Sequence, residues 1–287
     1  MRATRDGPVD GAAIDTAVPT ADEARLRRTP RAGSLAGRAL EYWLRSYRRT
    51  WRSSVFSSVL SPLLYLGSLG FGLGTLVDDG SGGGVGVPYA LFVAPGVLAA
   101  NAMQTGVSES TWPVMGAVKW QRQYHAMLAG PLDVVDVFLG HLAFVVLRLV
   151  MVSVVFGVIG ALLGAFTSWW ALAAVAVAVL CGAAYATPVM AFAASQENDA
   201  NFVYVFRFGL IPTFLFAGTF FPVDQLPELV RPVAYVMPLW HATQSCRDLA
   251  LGSPDLLAVA GHCGYLLLWA VVGVAAAART FRRRLVE

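Results

Sequence analysis

Six apolar stretches follow one another along the chain of 287 residues, and shorter polar segments separate them. They cover about residues 54–76, 89–108, 137–163, 169–194, 202–220 and 257–278. Each stretch has about 18 residues or more, which is enough for an α-helix to cross a hydrocarbon core of about 30 Å. The pattern predicts an all-α membrane protein with six transmembrane helices.

The segment before the first stretch, residues 33–52, has a different pattern. Aromatic residues recur on one side at helical spacing, namely Trp43, Tyr47 and Trp51, and the other side carries arginines that include Arg45 and Arg48. Such a helix is typical of the bilayer interface, with rings among the acyl chains and guanidinium groups on lipid phosphates. The alternative is an amphipathic helix that packs on a partner. Residues 1–32 are small, polar and mixed in charge, and predict a disordered cytoplasmic tail.

Composition and charge placement support a membrane domain and give it an orientation. Apolar residues make up 56% of the chain and charged residues 14%, whereas soluble domains carry about 25% charged residues. With the N-terminus inside, 17 of the 21 lysines and arginines lie in cytoplasmic segments, and only Arg231 and Arg247 lie in external loops. The positive-inside rule therefore predicts that both termini are cytoplasmic. Because the charge has this explanation, no nucleic-acid partner is expected.

The chain places its only lysine in the predicted cytoplasmic loop between the second and third stretches, in VKWQRQYHAMLAGPLD, residues 118–133. The sequence predicts a helix over about 112–129 that ends before Gly130 and Pro131. Trp120 and Tyr124 would share a face. The residues expected to flank them are Lys119, Arg122, Gln123 and Met127. The residues alone leave two readings open, a docking plug for a partner and an ordinary interfacial loop.

Residues 221–256 are too polar and rich in proline to span a membrane, yet they carry many aromatic and aliphatic side chains. They predict short external re-entrant helices before the last span, provided that their backbone is buried against protein. The alternative is a cap on the membrane surface. The candidate residues of this segment are Phe221, Pro222, Leu226, Tyr235, Trp240 and His241.

Polar groups within the spans are candidates for a substrate path. A charge such as that of Arg148, near the middle of the third span, costs about 2.5–3.5 kcal/mol on insertion scales. Arg148 would meet either a substrate headgroup or a structural partner, a carboxylate or carbonyl of another helix. Asn101 and Gln104 are further polar groups near a span end. Arg207 is expected to pair with Glu197 or Asp199.

Several chemistries find no support in the sequence. A GxxxxGK[ST] nucleotide loop cannot form, because valine precedes the only lysine. The three cysteines are widely spaced, and no catalytic or metal-binding motif stands out, so neither an enzyme nor a bound cofactor or metal is predicted. Acidic residues lie near span ends or in loops, which argues against a proton-driven secondary transporter.

Four segments together resemble the permease subunit of ABC-2 type exporters, the class that includes exporters of nodulation factors, lipooligosaccharides and anthracycline (daunorubicin-type) drugs. The resemblance covers about residues 35–285. The four segments are SPLLYLGSLGFGLG, YALFVAPGVLAANAM, VKWQRQYHAMLAGPLDVVDVFLGHL and FPVDQLPELVRPVAYVMPLWHATQSCRD.

The resemblance implies two permease subunits, identical or different, that work with two cytoplasmic P-loop ATPase subunits, which bind ATP and Mg. Residues 118–129 would be the coupling helix in a groove of the ATPase, residues 53–287 the transmembrane domain, and residues 221–256 an external gate. The substrate would be an amphiphile: a lipid-linked saccharide, a glycolipid or a hydrophobic drug. A polysaccharide-exporting permease and a membrane scaffold without transport remain alternatives. The excess of arginine over lysine and the many alanines suggest a bacterial plasma membrane.

Overall fold

The computed structural model describes residues 33–68, 72, 74, 87–252 and 254–286, without the side chains of residues 53–55, 57, 61 and 62. All regular structure in these ranges is helical, which confirms the predicted all-α class there. The predicted tail and the end of the predicted first span lie outside the described residues.

The helices are numbered in chain order. They are α1 (Ala36–Tyr47), α2 (Trp51–Leu66), α3 (Tyr89–Ser110), α4 (Trp112–Met115), α5 (Gln123–Leu128), α6 (Val134–Leu162), α7 (Ala171–Ser195), α8 (Phe202–Tyr204), α9 (Ile211–Phe216), α10 (Arg231–Val236), α11 (Pro238–Leu251) and α12 (Leu256–Val286). Short π-helical turns cover Gly116–Trp120 and Val205–Leu210, and 3₁₀ turns cover Asp199–Asn201 and Val223–Gln225.

Four helical stretches among the described residues are long and apolar enough to cross a membrane. They are Tyr89–Trp120, Val134–Leu162, Ala171–Ser195 and Leu256–Val286. They correspond to the predicted second, third, fourth and sixth spans. The six-span count and the orientation of the termini stay predictions.

The predicted fifth span, 202–220, is shorter in the structure. Its helical run ends at Phe216, and bends follow over residues 217–221. Gly218 has a φ of 78°, a left-handed conformation that ends helices and that glycine adopts without a steric penalty. The run rises by about 22 Å at about 1.5 Å per residue, which is less than a full hydrocarbon core.

Helix α7 lies at the centre of the membrane part and packs against α3, α6, α11 and α12. Small residues allow this. Gly106 of α3 faces the Gly182 backbone, and a Cβ on Gly182 would lie 2.5 Å from Leu149 Cδ2 and 2.9 Å from the Ala102 carbonyl oxygen. The helices therefore approach closely through positions without side chains, as is common in membranes.

Helix α1 lies against α6. Its buried residues are Ala39 and Trp43, and Trp43 stacks on His141 of α6 with ring centroids 4.1 Å apart. Trp43 therefore contacts α6 of the same chain and not acyl chains, which corrects the prediction for this residue, while the interfacial position of the helix stays a prediction. Helix α1 also ends at Tyr47, and the half-exposed Trp51 begins α2.

The tight crossing at Gly182 generates a stability prediction. Gly182→Ala should lower the midpoint of thermal unfolding in detergent, with a cost of about 1–3 kcal/mol, because the added methyl group overpacks the contact with α3 and α6. The matched control is Gly264→Ala on α12, where a Cβ would meet nothing within 4 Å. If both variants unfold at the same temperature, α7 does not pack as closely against α3 and α6 at Gly182 as described.

Candidate functional site

The predicted coupling segment is two short helices rather than one. Helix α4 continues into the π-helical turn Gly116–Trp120, and the chain then breaks at Arg122, whose φ of 51° is left-handed. The i, i+4 relation of Trp120 and Tyr124 is lost at this break. This corrects the expectation that the two rings share a face: Trp120 is 55% exposed, whereas Tyr124 is fully buried.

Tyr124 anchors the second short helix, α5, to the membrane part. Its hydroxyl group hydrogen-bonds to Nδ1 of His141 on α6. Its ring packs edge-on against Trp43 of α1 and tilted against Phe281 of α12. Burial raises the pKa of the Tyr124 hydroxyl well above its usual value. A single side chain thus joins the loop to three helices.

The exposed part of the loop is held by polar contacts. The Lys119 ammonium group donates to the carbonyl oxygen of Glu197, in the segment after α7. The Glu197 carboxylate pairs with Arg284 of α12 at 2.5 Å, and this pairing lowers the pKa of the Glu197 carboxyl group. Glu197 therefore pairs with Arg284, and not with Arg207 as the sequence suggested.

The six predicted docking residues fall into two groups. Lys119, Trp120 and Arg122 are exposed. Tyr124 is buried, and Gln123 and Met127 are half-buried, with Met127 packed against the hydrophobic cluster around Tyr124. The surface open to a partner is the first group, which we call the Trp120 ridge.

A polar pocket lies among α2, α3 and α6. Its volume is about 270 Å³, and it contains all three predicted path residues, Arg148, Asn101 and Gln104. The other lining residues are Ser58, Thr105, Ser108, Glu109 and Val152. The side-chain amides of Asn101 and Gln104 make no hydrogen bond within the described part of the chain.

Arg148 has a structural partner. Its Nε lies 3.1 Å from Glu109 Oε1, and its Nη1 donates to the Tyr47 hydroxyl group at 2.8 Å. The side chains of Arg148 and Glu109 are 11% and 22% exposed. Of the two readings left open by the sequence, the structure shows the ion pair. The pair links α3 and α6 beside the pocket, and the Tyr47 hydroxyl group adds a contact from α1.

Aromatic rings and histidines of the predicted external segment form one cluster. Tyr235 and Trp240 meet edge-on at 4.8 Å, and Nδ1 of His241 lies 2.7 Å from Nδ1 of His262 on α12. Leu226 is buried beneath, with the half-buried Phe221 beside it. Pro222 precedes the 3₁₀ turn Val223–Gln225. The candidate gate residues are thus brought together, and α11 packs against α3, α7 and α12.

Arg247 of α11 is the residue whose role the sequence did not indicate. It was counted as an external-loop charge, yet it is buried. It donates to the carbonyl oxygens of Phe92 at 3.2 Å and Gly218 at 2.9 Å, and its guanidinium group lies 3.7 Å from the centre of the Phe92 ring. It therefore connects α11 and the bend at Gly218 to the start of α3. Nothing in the mixed polar and apolar sequence of α11, PLWHATQSCRDLAL, distinguishes this arginine from a surface charge.

Comparison with known proteins gives a consistent result. Residues 40–251 match the family described as ABC-2 type transporter. Nodulation protein J of Rhizobium leguminosarum bv. trifolii is 33% identical over 253 residues, which cover 85% of this chain and 94% of that protein. Nodulation protein J of Rhizobium meliloti is 32% identical over 251 residues, with 85% and 94% covered. That of Bradyrhizobium diazoefficiens is 30% identical over 252 residues, with 85% and 93% covered.

The Arg148–Glu109 pair generates a second prediction. Glu109→Gln should destabilise the protein by about 2–3 kcal/mol, because it leaves a largely buried guanidinium group without its counter-ion. The double variant Glu109→Gln/Arg148→Gln should lose less stability than the sum of the losses in the two single variants. The measurement is a double-mutant cycle of thermal unfolding in detergent. The control is the exposed pair of Arg45 and Glu41, where Glu41→Gln should change stability by less than about 0.5 kcal/mol. Equal effects at both pairs would contradict the structural role.

Proposed function

The chain belongs to the ABC-2 type transporter family, and on that premise we propose that it is the permease subunit of an exporter that moves an amphiphile out across the plasma membrane. It is a multi-pass membrane protein. Its sequence cannot form a GxxxxGK[ST] loop, so a separate P-loop ATPase would supply the energy and bind ATP and Mg. Two permease subunits and two ATPase subunits would form the transporter.

The Trp120 ridge supports the docking of an ATPase. A large aromatic side chain that is half-exposed between basic residues is typical of interface hot spots. Its support is rigid, because Tyr124 is buried among helices α1, α6 and α12 and Lys119 binds the segment after α7. A push on the ridge would therefore move several membrane helices together.

The polar pocket supports a substrate with an uncharged, polar headgroup. The charge of Arg148 is neutralised by Glu109, so the pocket offers little attraction to an isolated anion. The amides of Asn101 and Gln104 carry both donors and acceptors, and these match hydroxyl and amide groups of a saccharide. The long apolar helices around the pocket suit an acyl chain. Among amphiphiles, this combination favours a lipid-linked saccharide over a hydrophobic drug.

The similar proteins named nodulation protein J support the same class, as does the resemblance to exporters of lipooligosaccharides. A polymer exporter would need a continuous channel lined by aromatic rings. One group of rings in the described part of the chain is the cluster of Tyr235, Trp240, His241 and His262, and another surrounds Tyr124. The pocket itself is lined mainly by polar groups.

Removal of the exposed ring tests the docking proposal. Trp120→Ala should reduce the amount of P-loop ATPase that co-purifies from native membranes by about tenfold or more, the size of a typical hot spot of about 2 kcal/mol. Trp169→Ala is the matched control, because Trp169 is also exposed but lies in the loop before α7.

Two outcomes would contradict this docking proposal. The first is equal recovery of ATPase with Trp120→Ala and with Trp169→Ala. The second is the absence of an ATPase even with the unchanged protein, which would favour the scaffold alternative. Because Trp120 is exposed, its loss should leave the elution volume and thermal unfolding of the permease unchanged.

The pocket gives a separate prediction. Asn101→Leu with Gln104→Leu should raise the lipooligosaccharide concentration that half-maximally stimulates ATP hydrolysis by about tenfold, because one to two hydrogen bonds of about 1 kcal/mol each are lost. The readout is ATPase activity of the reconstituted complex. Thr280→Val, on α12 and away from the pocket, serves as the control. Unchanged half-maximal concentrations would exclude the pocket as a headgroup site, while the ATPase docking proposal would stand.

A further inference from the structure

The exposed side of α12 changes from apolar to basic along its length. Leu268, Val271 and Val272 are exposed large apolar residues on this side. The same stripe continues at helical spacing through exposed alanines to Arg279, Arg282 and Arg283. From Leu268 to Arg279 the helix rises by about 16 Å, which is about the hydrocarbon depth of one leaflet. The stripe therefore has the length and polarity of one lipid molecule.

The three arginines border a groove at the end of this stripe. The groove has a volume of about 450 Å³, and its remaining walls are Val135 of α6 and Ala278 of α12. None of the three guanidinium groups has an ion pair or a hydrogen bond within the described ranges, whereas the neighbouring Arg284 is paired with Glu197.

The carboxylates nearest in sequence to Val135 are already engaged. Asp133 accepts the backbone N–H of Val134, and Asp136 accepts those of Leu35 and Asp133. These bonds cap α6 and fix the start of α1. The arginines of the groove therefore keep their full hydrogen-bonding capacity for a ligand from outside the chain.

We propose that this groove is a binding site for an anionic phospholipid. The phosphodiester group would accept hydrogen bonds from Arg279, Arg282 and Arg283, since a planar guanidinium group matches phosphate oxygens in pairs. An acyl chain would lie on the apolar stripe above. The inference rests on the place of the chain in a membrane and does not depend on the proposed transport.

The occupant is a lipid rather than a free phosphate ion, because the basic groove and the apolar stripe are continuous on one side of one helix. A basic pocket at the end of membrane helices is a typical lipid headgroup site. If the arginines served only to orient the chain in the membrane, positive charge at this end of α12 would be sufficient. Orientation would require neither a shared groove nor alignment of the arginines with the apolar stripe.

Native mass spectrometry of the full-length protein in detergent tests the proposal, with phosphatidylglycerol titrated against phosphatidylcholine. The wild type should retain phosphatidylglycerol preferentially. The variant with Arg279→Gln, Arg282→Gln and Arg283→Gln should bind it about 100-fold more weakly, at about fivefold for each arginine. The control removes charge elsewhere, through Arg122→Gln and Arg207→Gln, which are exposed residues outside α12 and outside the predicted interfacial helix. This control should weaken binding by less than about threefold.

Each other outcome would overturn the proposal. Equal losses per removed charge in the two variants would mean diffuse attraction of anionic lipid to positive charge. Displacement of the lipid by millimolar inorganic phosphate would mean a simple anion site. If the mass spectrum of the wild type shows a bound protein and no bound lipid, and the groove variant loses that protein, the groove is a protein interface. Both variants should unfold at the same temperature as the wild type. This control distinguishes a loss of lipid binding from a loss of fold.

Discussion

The crossing of α3 and α7 determines how the other described helices are arranged, because it is built from two backbones without side chains between them. Gly106 faces Gly182 there, and Leu149 of α6 closes over the same point. In a bilayer, helices gain little from hiding apolar surface, so close packing of this kind carries much of the association. With α7 held at the centre, α11 and α12 pack against its other sides.

This crossing also connects the candidate sites, since α3 reaches two of them and the segment that follows it carries the third. Its first residue, Tyr89, donates a hydrogen bond to the Phe220 carbonyl oxygen at 3.2 Å, next to the predicted gate residues. Its last two turns contribute Gln104 and Glu109 to the polar pocket. The helical stretch then continues to Trp120 at the exposed ridge. The ridge and the pocket are therefore close along the chain, and the stretch between them bends once, at Thr111 between α3 and α4.

The sequence predicted the elements well where one physical property decides them, and less well where two environments look alike. Length and hydropathy alone indicated the four long stretches. Trp43 was misassigned because a tryptophan face has the same spacing whether it meets acyl chains or a neighbouring helix, and the neighbour here is His141. Trp120 and Tyr124 were placed together because periodicity assumes an unbroken helix, whereas Arg122 adopts a left-handed conformation. The partner of Arg148 could not be chosen, since Glu109 is 39 residues away.

The arginines near the membrane show why a charge in the sequence does not by itself indicate a ligand. Arg148 is neutralised by a carboxylate, and Arg247 is surrounded by carbonyl oxygens and the Phe92 ring. Both are satisfied by the fold, so their cost of burial is offset within the chain. The arginines at the end of α12 differ, because they share one groove and the neighbouring carboxylates are already bound to backbone groups. Unused hydrogen-bonding capacity, rather than charge, therefore distinguishes a binding surface from a structural contact in this protein.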